Sequence, residues 1–96
     1  MALGMISMFA VSAFAQSSQV VSAWNYVKYG QFEDAKNAIN QATQDSKTST
    51  WPKTWFYRGS IYLAIYDDTT FRKNNPGALG EAITSFKKAM DLNPKN

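Results

Sequence analysis

Cysteine and histidine are both absent from this 96-residue chain. Without cysteine there is no disulfide, no thiolate metal site and no lipid-modified thiol. Without histidine the commonest general base and the commonest metal ligand go together, and no conventional Ser-His-Asp triad can be assembled. The five glycines stand singly, so no Gly-rich loop can cradle a phosphate. Charge is sparse as well: 18 % of residues carry one, the formal net charge is +3, and the lysines are scattered. So mild a balance does not point to nucleic acid, and the lysines read as a solvated surface. What is there is an apolar fraction of 45 %, ordinary for one small folded domain and too high for disorder.

Residues 1–15 carry no charge and are mostly apolar. The run is short for a membrane span, which needs roughly 17–25 apolar residues. It ends Ala13-Phe14-Ala15, the small-x-small pattern of signal-peptide cleavage, and polar Gln16-Ser17-Ser18 follows. These features predict export, a mature start near Gln16, and a periplasmic or secreted protein with no membrane span after cleavage. No Lys or Arg precedes the run, so either the true start lies upstream or the leader is unusual. A buried first helix is the other reading.

Val20, Val21, Ala23, Trp24, Tyr26 and Val27 are spaced for an amphipathic helix over residues 17–29, which Gly30 stops as a left-handed cap. Phe32, Ala35, Ala38, Ile39 and Ala42 continue at helical spacing, with Glu33 and Asp34 in the first turn, where the helix dipole favours acids. Residues 16–45 thus read as a first helical hairpin. Residues 46–51 form a Ser/Thr-rich linker by composition. Pro52 opens a helix running to about Tyr66, with Thr50 or Trp51 as the cap region. Residues 67–75 break the pattern and read as an inserted surface loop. Pro76, with Asn75 as N-cap, starts a last helix to about Leu92, which Pro94 stops. Residues 52–95 form the second hairpin.

The two hairpins agree internally. Gly30, Phe32, Ala35, Ile39 and Ala42 correspond at constant offset to Gly77, Leu79, Ala82, Phe86 and Ala89. Ala23 and Tyr26 correspond to Gly59 and Tyr62. Glycine inside a helix costs about 0.8–1.0 kcal/mol relative to alanine, so Gly59 predicts close approach by another helix. Ala82, Phe86 and Ala89 supply the matching small-large-small stripe.

Trp55, Gly59, Tyr62, Ala82, Phe86 and Pro94 resemble the tetratricopeptide repeat (TPR) signature W-x2-L-G-x2-Y, A-x3-F, P. Arg58 stands where the family has Leu, and the gap from Tyr62 to Ala82 is longer than the family pattern. The resemblance covers roughly residues 16–95. It implies an all-α fold of two antiparallel helical hairpins stacked as a short TPR-like solenoid. It also implies a scaffold that binds a protein or peptide partner, with no catalytic residue, cofactor or metal. In the family, the first helix of each repeat lines a concave groove. That places Val20, Trp24, Val27, Lys53, Phe56, Ser60 and Leu63 in the groove, with Ser17 at its end, Trp24 and Phe56 as anchors and Lys53 at the rim. Members that clamp a carboxylate put Asn and Lys or Arg there. Val20 and Trp24 take those places here, so an apolar or helical segment is the expected ligand rather than an acidic C-terminus. Trp24 and Phe56 packing against a neighbouring helix is an equal alternative. A second function is structural: the chain stacks on further repeats or homo-oligomerises. Repeat arrays generally need three units, so the isolated chain is expected to be marginally stable or associated.

Asp67-Asp68-Thr69-Thr70 lacks the spaced acids, glycine and closing Glu of a calcium loop and reads as a solvated helix end. Lys87-Lys88 suits the dipole of a helix C-terminus.

Overall fold

The computed structural model describes residues 19–93, and among these it is all-α with no strand. Helix α1 covers residues 19–28, α2 Phe32–Ala42, α3 Pro52–Asp67, α4 Thr69–Asn74 and α5 Ala78–Asp91. A 3₁₀ turn, Thr48–Thr50, precedes α3. The export segment expected at residues 1–15, its cleavage point, Ser17 and Pro94 lie outside the described residues.

Gly30 ends α1 as its position predicts. Its φ is +73°, its N–H reaches Val27 O at 3.0 Å, and Gln31 N–H reaches Tyr26 O at 2.9 Å. That pair of bonds satisfies the last carbonyls of α1 and turns the chain straight into α2. Ala35, Ala38, Ile39 and Ala42 form the buried stripe of α2.

The linker is more structured than its composition suggests. Thr48 is buried, and its hydroxyl donates to Ala42 O at 2.6 Å. The Asp45 carboxylate accepts from the backbone N–H groups of Lys47 (3.0 Å) and Thr48 (3.1 Å). The Trp55 indole N–H then donates to Ser49 O at 2.8 Å. Short polar side chains satisfied the local backbone, so a polar stretch became a docked turn.

Pro52 stands at the first position of α3, with Trp51 as its N-cap residue. This helix is covered on two sides. Ile61, Tyr62 and Ile65 are buried in the core shared with α1 and α2, and the Tyr62 hydroxyl accepts from Asn40 of α2, whereas Gly59 meets Phe86 of α5. A helix clad on both sides needs apolar residues over most of its circumference.

Two expectations fail in the segment that follows. Residues 67–75 are not a loop, because Asp68 caps α4 by accepting from Thr70 N–H (3.0 Å) and Phe71 N–H (3.1 Å). Phe71 packs edge-on against Phe32 with ring centroids 4.8 Å apart, so the excursion is docked on α2. Nor does Asn75 cap α5. Its amide donates to Phe71 O at 2.9 Å and its carbonyl accepts from Lys36 Nζ at 2.8 Å. Residues 76–77 form a turn, and α5 starts at Ala78 with Gly77 as N-cap.

Candidate functional site

The site grows from the α3–α5 crossing. An early residue of α3, Trp55, has Lys88 Nζ 5.8 Å from its ring, while Arg58 reaches back to Glu81. Early positions on α3 therefore face late positions on α5, and the helices run antiparallel. Gly59 permits the approach, since Phe86 lies over it.

Arg58 is the polar hub of the molecule. Its Nε donates to Asn40 Oδ1 at 2.9 Å, joining α3 to α2. One terminal nitrogen donates to Ser85 Oγ at 2.7 Å and the other pairs with Glu81 at 2.9 Å, joining α3 to α5. The guanidinium also lies 4.7 Å from the Tyr62 ring centroid, and the Tyr62 hydroxyl accepts from Asn40 Nδ2 at 3.0 Å. Ser85 is completely buried, so this bond satisfies its hydroxyl.

Beside this crossing an open groove of about 600 Å³ is lined by Pro52, Lys53, Phe56, Phe86, Ala89, Met90 and Asn93. Phe56 is 54 % exposed and sits 5.8 Å, centroid to centroid, from Phe86. Met90 is 68 % exposed. Leu79 and Ile83 extend the exposed apolar stripe along α5.

The groove residues expected from sequence divide in two. Lys53 and Phe56 line the groove. Val20 does not, being 1 % exposed and part of the core. Trp24 is half-buried and stacks on Tyr57 with centroids 6.0 Å apart and planes 6° from parallel. Val27 is half-buried against the same core. The reason is that α3 covers this face of α1. Ser60 Oγ donates back to Phe56 O at 3.0 Å within its own helix, and Leu63 is partly exposed; neither lines the groove. The groove thus runs between α3 and α5 rather than along α1 and α3.

Sequence reasoning overlooked Met90 and the groove role of Phe86. The signal was available in the register: Leu79, Ile83, Phe86 and Met90 recur three and four apart on α5.

Chemistry beyond apolar contact is limited. No group of His, Cys, Asp or Glu able to hold a metal occurs among the described residues. No helix among them is long and apolar enough to cross a membrane. Compared with known proteins, the chain matches no family model, no curated protein and no solved structure.

Proposed function

We propose that this chain is a protein-interaction module of the tetratricopeptide kind, two stacked hairpins that dock an apolar helical segment of a partner between α3 and α5. The observation that supports this reading is a contrast between equivalent positions. Ile39 on α2 is fully buried, whereas its counterpart Phe86 on α5 lines an open groove. Val20 on α1 is buried, whereas its counterpart Phe56 on α3 is exposed. A helix covers the first face and nothing among the described residues covers the second. An apolar groove with aromatic walls and Lys53 at its edge suits an amphipathic helix. The module carries out no catalysis and takes no cofactor or metal in this reading. It acts outside the cytoplasm, on the strength of the apolar run before Gln16.

The test is capture from envelope extract with the wild type and with Phe56→Ala. Loss of the captured band with Phe56→Ala, at unchanged helical content, supports the reading. Capture that ignores both Phe56→Ala and Met90→Ala removes it. Mass spectrometry of the envelope protein checks the export part, and an intact Met1 in a cytosolic pool would sink it. Self-association is the second reading, favoured by a separate exposed surface on α1.

A further inference from the structure

We infer that the helix received by the α3–α5 groove is α1 of a second copy of this chain, so that copies add head to tail. The inference rests on the docking reading and names its occupant. It starts from how the first helix pair is covered. The α1–α2 face is closed by α3, whose Tyr57 stacks on Trp24 and whose Ile61 and Ile65 join the core with Val20, Ala23 and Ile39. Tyr57, Ile61 and Ile65 fall on one stripe, four residues apart.

The repeat register carries that stripe onto α1. The offset that pairs Ala23 with Gly59 and Tyr26 with Tyr62 pairs Val21, Asn25 and Tyr29 with Tyr57, Ile61 and Ile65. So α1 and the turn that ends it present Val21 and Tyr29 in two of the three places where α3 makes its docking contacts. They are uncovered: Val21 is 51 % exposed and Tyr29 78 %. The described residues therefore hold an open groove on one face and an exposed stripe on another, in one register. Joining them repeats outward the interface already made between α3 and the α1–α2 pair.

Charge is sparse at the contact: α1 carries only Lys28, in its last turn, and among the described residues Lys53 is the only charged residue lining the groove. The joint is heterologous, using different surfaces of the two copies, so it does not close on itself at two.

Sedimentation equilibrium of the full chain tests this with two variants, each at an exposed position. Met90→Glu blocks the groove and leaves α1 intact; Val21→Glu blocks the α1 stripe and leaves the groove intact. The wild type should gain mass past the dimer as concentration rises. Each variant alone should remain monomeric with wild-type helical content. An equimolar mixture of the two should form a one-to-one dimer that grows no further, since only one productive joint remains. Self-dimers of either variant, or a monomeric mixture, overturn the inference. A wild type that stays monomeric while Phe56→Ala still abolishes partner capture overturns it and leaves the docking reading standing. A monomeric wild type with capture indifferent to Phe56→Ala and Met90→Ala removes both.

Discussion

Phe86 occupies the notch over Gly59 so closely that a Cβ at Gly59 would stand 2.6 Å from Phe86 Cε1 and 2.7 Å from Cδ1. The helix tolerates the glycine because the neighbouring ring needs the space. Gly59→Ala should gain about 1 kcal/mol of helix propensity and lose about 1–3 kcal/mol to overpacking, for a net loss. In a Phe86→Ala background the clash is gone, and the same substitution should stabilise by about 1 kcal/mol. A double-mutant cycle by chemical denaturation reads this change of sign. Additive effects would show that the ring simply swings aside.

Arg58 joins α3 to both α2 and α5, so Arg58→Leu should not be benign. It strands the buried Ser85 hydroxyl and removes the bond to Asn40, and stranded buried polar groups cost about 1–3 kcal/mol each. A loss of about 2–3 kcal/mol in urea unfolding is expected. Glu81 is half exposed, so Glu81→Gln should cost less than about 1 kcal/mol. Equal losses from the two would mean that the ion pair, rather than the hydrogen bonds, dominates.

The two aromatic anchors should separate by phenotype. Trp24 is stacked between helices, so Trp24→Ala should cost about 2–3 kcal/mol. Phe56 is mostly in solvent, so Phe56→Ala should cost under about 1 kcal/mol while weakening partner capture. Thermal melts followed by circular dichroism distinguish them.

Phe71 ties the excursion to α2. Phe71→Ala should destabilise by about 1–2 kcal/mol, because it removes an edge-to-face partner of Phe32. Hydrogen exchange in α4 should speed up more than in α5. An unchanged melt would return the segment to the status of a detached loop.

Asp45 adds a pH dependence in acid. The backbone N–H of Thr48, then that of Lys47 and the Thr48 hydroxyl, hold its carboxyl below the ordinary value of 3.8. A lowered folded pKa means the contribution is fully present above that ordinary value and is lost as pH falls through the folded pKa. Asp45→Asn should therefore lower Tm at neutral pH, and the gap from wild type should narrow below pH 3.8. A gap constant down to strongly acid pH would count against the charged hydrogen bonds.

What the sequence by itself determined is local. Gly30, Pro52 and the 3–4 spacing of Ala35, Ala38, Ile39 and Ala42 mark helix ends and faces through short-range sterics and periodicity, and the structure has them there. Gly59 was legible too, since a mid-helix glycine costs stability unless something lies against it. Only the tertiary structure decided which faces are covered. Val20 and Phe56 stand at the same place in the sequence offset that pairs Ala23 with Gly59, and one is core while the other is open, because α3 closes the first helix pair. The same holds for Arg58, whose partners Asn40, Glu81 and Ser85 lie on other helices. Asp68 and Thr48 misled for a related reason: their composition signals polarity, while their roles as cap and buried anchor depend on where nearby backbone groups and neighbouring helices fall. Periodicity can report the angle of a side chain around its own helix, but burial depends on what the rest of the chain brings to that side.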